Sequence, residues 1–585
     1  MGALGTAVIL LLGTGAPRLT LPMRQDQRTL SSELPMQKSR WRWLVPCLLL
    51  AVQLGTRGDA AAAPAPQQAM PADASHLFVE SERCIACHSN LTTPSGQDMS
   101  FGYQWRATMM ALSARDPYWR AGVRREAIEH PTAIAAIEDR CSVCHLPVAH
   151  TAAVAAGQPP QLFALFEAAT KDPASVHLEL DGVTCTVCHQ IKPDNFGKRD
   201  SFDGGYVIDP KSPPAGRPVY GPYPVDPGRQ RVMHSSTEQF VPTESLHVRQ
   251  SELCATCHTL YTAALDSAGK VVGELPEQMP YIEWQQSAYA QTDSCQACHM
   301  PVVATAVPVS ATLGQPRTHV SQHVFVGGNA YMLRLMNKYR ADLGIVAEPQ
   351  ELEASALRTE TFLKTRTAEL AVGPVVRAGT RTQFAVSVRN LSGHKFPTAY
   401  PSRRAWLHVT VSDATGKVVF ESGAQRTDGA IVGNDNDEDA ARFEAHHDVI
   451  RSADDVQVYE SIIVDANGRV TTSLLSGLRF AKDNRLLPRG FDKARAPEDV
   501  LVRGEAADDA DFAGGGDSVR FDIETGTASG PLAVKAELRF QSIGYRWAQN
   551  LKQYDAPETR TFVGYYESTA AQSAVEVATA SGSGS

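Results

Sequence analysis

The sequence has 585 residues, a formal net charge of -9 at pH 7 and 43% hydrophobic residues. This length exceeds what one compact core normally holds, so we expect two domains in addition to an export segment. The acidic balance excludes a protein that binds nucleic acid through a basic face, and we expect other proteins as partners instead.

The N-terminal part has the composition of an export segment. Lys38, Arg40 and Arg42 precede the apolar run WLVPCLLLAVQLG, and Ala-x-Ala cleavage sites follow in DAAAAPAP. We predict a signal peptide over 1–63, with the true start at Met36, and a periplasmic, secreted or cell-surface location. An uncleaved anchor is the alternative, although the apolar run is shorter than the about 20 residues of a membrane span.

Ten of the eleven cysteines form five Cys-x-x-Cys pairs, and a histidine follows each pair directly. Two cysteines at this spacing can bind the two vinyl groups of one haem, and the adjoining histidine then ligates the iron as the proximal ligand. Zinc ribbons also use cysteine pairs but need no histidine after each one. In chain order, the five motifs are 84–88, 141–145, 185–189, 254–258 and 295–299.

The motifs therefore predict five covalently bound c-type haems. The residues that hold them are Cys84, Cys87, His88, Cys141, Cys144, His145, Cys185, Cys188, His189, Cys254, Cys257, His258, Cys295, Cys298 and His299. The histidines in this set are the expected proximal iron ligands.

The region 64–350 contains all five motifs and many turn-forming residues. We predict a multihaem cytochrome domain here, mostly helix and loop, which haem packing organises. Helical periodicity is present in 111–130, 158–171 and 329–343, whereas the Gly- and Pro-rich segment 201–228 predicts a long loop without a helix.

Beyond residue 365, apolar and polar residues alternate, which is typical of half-buried strands. We predict an all-β sandwich domain of antiparallel strands over 351–570 and a disordered tail over 571–585. The alternating segments are 367–376, 382–390, 404–413, 417–423, 518–526 and 532–540.

The sixth position of each iron decides between two chemistries. A histidine or methionine there gives a low-spin haem suited to electron transfer, whereas an open position lets a small substrate bind. Of His319 and His323 we expect one to be a ligand. For Met110 the alternative is apolar packing, and for His394 it is a structural role in a loop. The full set of distal candidates is His150, His177, His234, His247, His319, His323, Met110 and His394.

The acidic run GNDNDEDAARFEAHH, residues 433–447, offers oxygen ligands at spacings that suit calcium. The positions do not match an EF-hand, so a solvated loop is the alternative. Calcium therefore stands beside the haems as a second, weaker cofactor prediction.

The motif sequences resemble bacterial periplasmic multihaem cytochromes of the c-552/c-554 class, which are related to pentahaem nitrite reductase and hydroxylamine oxidoreductase. The resemblance covers 80–345 through DGVTCTVCHQI, SELCATCHTL, SCQACHMP and HVFVGGN, and GHKFPTAYPSRRAWLHV and KDNRLLPRGFDK look like members with an appended β domain. It implies stacked haems and mostly histidine distal ligands. Those nitrite reductases carry lysine in place of one motif histidine, and no CxxCK occurs here, which argues against nitrite reduction.

Three functions fit these features. The first is a redox carrier between a quinol-linked donor and a terminal acceptor, with the β domain as a docking or assembly module. The second is an oxidoreductase with one five-coordinate haem that acts on a small nitrogen or sulfur oxyanion. The third is a homo-oligomer that forms a filament, in which a neighbouring subunit provides a distal histidine.

Overall fold

The computed structural model describes residues 73–211, 216–237 and 239–584. The predicted signal peptide 1–63 and the start at Met36 lie outside the described residues. Across these described ranges, no helix has both the length and the apolar composition that a membrane crossing requires.

Short helices dominate the first part of the chain. The α-helices are α1 (Ser81–Ile85), α2 (Phe101–Arg106), α3 (Pro117–Glu129), α4 (Ile134–His145), α5 (Pro147–Ala155), α6 (Leu162–Lys171), α7 (Cys185–Cys188), α8 (Pro227–Thr237), α9 (Ser251–Ala255), α10 (Pro280–Gln285), α11 (Cys295–His299), α12 (Ala330–Lys338), α13 (Pro349–Arg366), α14 (Asp435–Glu438), α15 (Tyr545–Asn550) and α16 (Pro557–Glu567).

Each of the three segments with helical periodicity contains a helix, although each helix is shorter than its segment. These helices are α3, α6 and α12. The start of α3 has a clear cause: the Asp116 carboxylate accepts hydrogen bonds from the backbone N–H of Tyr118 at 2.8 Å and of Trp119 at 3.2 Å. Pro117 occupies the first helical position, where its missing N–H costs no hydrogen bond.

Strands dominate the second part. They are β1 (Arg217–Gly221), β2 (Phe240–Glu244), β3 (Leu260–Leu265), β4 (Val271–Gln278), β5 (Val307–Pro308), β6 (Pro316–Arg317), β7 (Ala368–Val372), β8 (Val376–Ala378), β9 (Arg381–Asn390), β10 (Arg404–Ser412), β11 (Val418–Ser422), β12 (Val449–Ile450), β13 (Val458–Tyr459), β14 (Ser461–Val464), β15 (Val470–Thr471), β16 (Arg479–Asp483), β17 (Gly516–Glu524), β18 (Leu532–Gln541) and β19 (Ala574–Gly584). Each segment with alternating polarity overlaps at least one of these strands.

Two five-stranded sheets share one apolar core. The first runs β11-β10-β18-β19 with β13 beside β10, and the second runs β12-β17-β9-β7 with β8 beside β9. Alternate residues of β9 and β17 are buried, and Phe384 of β9 lies opposite Phe521 of β17. Their rings stack at 4.8 Å between centroids, and both belong to the same buried cluster as Leu407 and Leu538 of the first sheet. One pair, β12 with β17, is parallel instead of antiparallel.

The segment 201–228 is mostly loop, but the prediction misses two regular elements. Arg217–Gly221 forms β1, which pairs in parallel with β2, and α8 begins at Pro227. The strand is anchored because the buried Arg217 guanidinium donates to Gln190 Oε1 at 2.8 Å and to the Asp209 carbonyl at 2.6 Å.

The structure does not divide the chain at residue 350, as the predicted domain boundary does. All described residues belong to one compact unit, and helix α13 crosses the boundary. Helix α16, inside the range predicted as all-β, packs on α3 through an Arg124–Glu558 ion pair at 2.7 Å. The Tyr118 and Phe562 rings of the same two helices lie 5.0 Å apart.

The prediction of a disordered tail over 571–585 is wrong for Ala574–Gly584. These residues form β19, which pairs with β18 along its length. Val575 and Val577 of this strand are buried in the core, although the Gly- and Ser-rich composition of the last residues suggested a flexible chain.

We expect truncation after Ser573 to destabilise the protein. The truncation removes two buried valines, each of which contributes about 1.5–3 kcal/mol, and exposes the edge of β18. Urea unfolding should therefore show a loss of several kcal/mol in the free energy of unfolding. Glu576→Ala, at an exposed position of the same strand, is the control and should change it by less than about 0.5 kcal/mol. An unchanged midpoint after truncation would contradict the assignment of β19 to the core.

Candidate haem-binding cavity

All five motifs face a single internal cavity of about 1560 Å³. The ten motif cysteines and the five motif histidines all line it, and none of these cysteines forms a disulfide bond. Apolar side chains such as Phe101, Trp105 and Leu253 complete its walls. The interior of this part of the chain is thus a cavity surrounded by protein, with thiol and imidazole groups turned inward.

Short helices present the cysteine pairs to the cavity. Helices α4, α7 and α11 contain both cysteines of their motifs, and α1 and α9 contain the first cysteine of theirs. Residues three apart lie on the same side of a helix, so both thiols of a pair face one way. This arrangement suits attachment of one haem by two thioether bonds.

Three motif histidines are oriented by a hydrogen bond to a backbone carbonyl. In each case Nδ1 donates at 2.6 Å, and the pairs are His88 with Val309, His189 with Tyr220, and His299 with Val326. A bond of this kind holds the ring in one tautomer and leaves Nε2 as the free electron-pair donor. These rings therefore have the orientation that a proximal metal ligand needs.

Burial keeps the motif histidines neutral. It lowers the pKa of all five, and it lowers the pKa of His145 and His258 to about 4. A neutral imidazole is the form that binds a metal ion, so the electrostatics of the cavity agree with the orientation of the rings.

Two further histidines stand opposite motif histidines. The ring centroids of His189 and His323 are 6.3 Å apart with an interplanar angle of 15°, and those of His299 and His394 are 6.2 Å apart at 10°. Two imidazoles that bind one ion from opposite sides at about 2 Å have ring centres roughly 6 Å apart. Both pairs thus leave the space for one iron atom between the rings, and the residues present fit haem.

His323 is fully buried, and burial lowers its pKa to about 3. His394 is also buried and donates from Nδ1 to the Lys395 carbonyl at 2.9 Å, so its Nε2 remains free. Of the pair His319 and His323, only His323 lies opposite a motif histidine among the described residues.

Three predicted candidates have one or both ring nitrogens engaged elsewhere. His247 contacts Ser245 Oγ at 2.6 Å and the Ile191 carbonyl at 2.8 Å, so both of its nitrogens are occupied. The remaining two contact carboxylates at 3.1 Å, His150 that of Asp139 and His177 that of Glu80.

The other candidates lie apart from the motif histidines. His234 is exposed on α8, and His319 is exposed at the rim of the cavity with a φ of 56°. Met110 lines the cavity, and its carbonyl accepts a hydrogen bond from the Val183 N–H at 3.0 Å. Within the described ranges, no histidine ring pairs with His88, His145 or His258 as His323 and His394 do with their partners.

Thiols of different motifs are close neighbours. Interacting thiol pairs join the first motif to the third, the second to the fourth and the fourth to the fifth, as Cys84 with Cys185, Cys144 with Cys257, and Cys254 with Cys295. Burial, and after it the nearby Cys257 thiol, raise the pKa of Cys188 to about 12, which places the third motif beside the fourth. All five motifs are therefore connected by close neighbours.

Three further residues, Arg403, Tyr118 and Tyr400, also line the cavity, and no pattern in the sequence distinguished them. Arg403 donates from Nη1 to the Thr398 carbonyl at 3.0 Å, and burial lowers its pKa to about 10. In the part of the chain that the structure describes, no carboxylate forms an ion pair with it. Its neighbour Arg404 instead turns into the core and pairs with Asp437, a distinction that two adjacent arginines do not reveal in sequence.

The structure does not support the calcium prediction. Asp437 of the acidic run forms a buried two-pronged ion pair with Arg404, and Asp435 pairs with Arg442 at 2.6 Å. These carboxylates are thus neutralised by arginine. His446 lies near Asp509 and Asp517 in the same region, but hydrogen bonds within the protein already hold these groups.

No protein-family model matches the chain, and the comparison with curated proteins gives no match either. Among solved structures, the chain is similar to a penta-heme cytochrome c552 from Thermochromatium tepidum, with 16% sequence identity and a TM-score of 0.47. The match covers 87% of this chain and 99% of that chain. At this level of similarity, the haem assignment rests on the motifs and on the geometry of the cavity.

Proposed function

We propose that the chain is a multihaem c-type cytochrome that transfers electrons through five covalently bound haems. One observation carries this proposal: all fifteen motif side chains line one cavity. Groups attached to the walls of one cavity lie close together, and closely spaced redox centres exchange electrons rapidly. When bound, haem provides an iron atom that alternates between the ferrous and ferric states.

The protein residues have separate tasks in this proposal. The cysteine pairs attach the haems, and the motif histidines bind the irons with Nε2. His323 is the distal ligand at the third motif and His394 at the fifth, because each stands across a one-ion gap from the motif histidine. At these two motifs the histidine pairs would hold the iron from both sides and leave no open site for a substrate, whereas no second histidine stands opposite His88, His145 or His258 among the described residues.

Export is part of the proposal. Attachment of c-type haem takes place after translocation, which agrees with the predicted signal peptide. We therefore place the protein in the periplasm or at the cell surface, where a quinol-linked donor and a terminal acceptor protein are its expected partners.

A second candidate function is an oxidoreductase that acts on a small nitrogen or sulfur oxyanion at one open iron. The observation that favours it is the cavity position of Arg403, whose guanidinium lies with two phenols and without a carboxylate partner among the described residues. A buried cation of this kind attracts an anion, which is either a free oxyanion or a haem propionate.

We expect the purified protein, matured in a host that attaches c-type haem, to carry five haems per chain. Haem content by intact mass and by a haem-specific absorbance assay should agree on this number. Replacing Cys141 and Cys144 by alanine should leave four. Bound zinc in place of haem, or a count below five in the wild type, would contradict the proposal.

Carbon monoxide separates the two candidate functions. If every sixth position is filled, the reduced protein should keep its optical spectrum under carbon monoxide, and the carrier function stands. If a sixth position is open, the oxidised protein should show a high-spin EPR signal, and after reduction that haem should bind carbon monoxide. That result would favour the oxidoreductase.

We expect His323→Ala to convert one low-spin haem to the high-spin state, because the third motif loses its distal ligand. EPR and carbon monoxide binding should both show the change relative to the wild type. His319→Ala is the matched control, since this histidine is four residues away and exposed, and should leave the spectrum unchanged. Identical spectra for the two variants would remove His323 from the ligand set.

A further inference from the structure

Four buried charges form a cluster directly beside His394. They are Lys395, Asp483, Arg485 and Glu283, and none is more than 6% exposed. Lys395 Nζ lies 2.7 Å from Asp483 Oδ2, and Arg485 reaches the same carboxylate oxygen at 2.7 Å. Arg485 also forms an ion pair with Glu283 at 2.9 Å. Two positive and two negative groups thus compensate one another away from water.

The cluster joins three segments that are distant in sequence. Glu283 belongs to α10, which precedes the fifth motif, and Lys395 belongs to the loop between β9 and β10. Asp483 is the last residue of β16, and Arg485 follows two residues later. A rigid cluster at this meeting point fixes the loop relative to the helix that leads into the fifth motif.

Glu283 also holds the loop through neutral groups. Its Oε2 accepts hydrogen bonds from the Lys395 backbone N–H at 3.2 Å and from Thr398 Oγ1 at 2.5 Å. Asn390 fixes the other side of the loop, because its Nδ2 donates to the His394 carbonyl at 3.0 Å. The backbone on both sides of His394 is therefore held by buried side chains.

Burial of four charged groups is an unfavourable means of stabilising a protein core. The removal of charged groups from water opposes their mutual attraction, and apolar side chains of similar size often stabilise a protein as well or better. What a buried ionic cluster provides is a defined geometry, since one displaced partner leaves an unpaired charge without water. The position of this cluster, one residue from His394, indicates what that geometry serves.

We propose that Lys395, Asp483, Arg485 and Glu283 are positioning residues that hold His394 as the distal ligand of the fifth haem. The chain of contacts runs from the cluster to the Lys395 backbone, from the Lys395 carbonyl to His394 Nδ1 at 2.9 Å, and across the gap to His299. This inference rests on the proposed function. It gives the strand-rich part of the chain a role in haem ligation, beside the docking role expected from sequence.

The test uses the full-length protein with its haems attached and reads spin state by EPR. Asp483→Asn leaves Lys395 without its carboxylate partner. Glu283→Gln weakens the hydrogen bonds that the loop donates to this side chain, and it keeps the Lys395–Asp483 pair. Both variants should convert one haem in five to the high-spin state, as His394→Ala should. If Asp483→Asn does not fold, the milder Glu283→Gln still gives the readout.

The matched control is Glu460→Gln. Glu460 pairs with the buried Lys482 at 3.1 Å, so its loss disturbs an equally buried ion pair that does not contact the loop of His394. This variant should keep the spin state of the wild type even if it lowers thermal stability. A high-spin haem in the control as well would mean that general destabilisation causes the effect, and this result would contradict the positioning role.

Two other outcomes overturn the inference in distinguishable ways. If His394→Ala is high-spin but Asp483→Asn and Glu283→Gln both remain low-spin, His394 is a ligand that the cluster does not position. If His394→Ala keeps the wild-type spectrum, His394 is not a ligand, although five attached haems would still support the proposed function. A wild-type protein without haem would remove the proposed function itself.

Discussion

Fifteen cysteine and histidine side chains have to face one cavity, and the rest of the structure is arranged around that requirement. Five helices each present one motif to this cavity, and four of the five have no more than five residues. The backbone carbonyls of Val309, Tyr220 and Val326 serve the same end, because each one turns a motif imidazole toward the interior. Burial then keeps these imidazoles neutral.

The local elements were largely predictable from sequence. Alternating polarity located six of the ten strands of the two facing sheets, namely β7, β9, β10, β11, β17 and β18, and the fifteen motif residues predicted from the cysteine spacing all line the cavity. The ionic and apolar contacts between distant segments were not predictable. Pattern analysis had no means to find that α16 packs on α3, or that a Gly- and Ser-rich end pairs with β18, because both depend on the partner surface and not on the segment itself.

The choice among the candidate distal ligands shows the same limit of sequence analysis more clearly. Twelve histidines lie outside the motifs, and all share the chemistry of a ligand. What separates them is position: His323 reaches its partner His189 across more than a hundred residues, whereas His247, close to the fourth motif, has both nitrogens engaged by neighbouring groups. In sequence, His247 and His323 were equally candidates, and only the fold separates them.

The contacts among the motif thiols also have a consequence for connectivity. If each motif is a node and each contact between motifs is an edge, the fourth motif joins the second, the third and the fifth, while the first is reached through the third. The third and the fourth nodes are then both cut vertices of the network. Removal of the third isolates the first, whereas removal of the fourth leaves three parts that share no edge, so the fourth segment has a greater weight in the connectivity than any other.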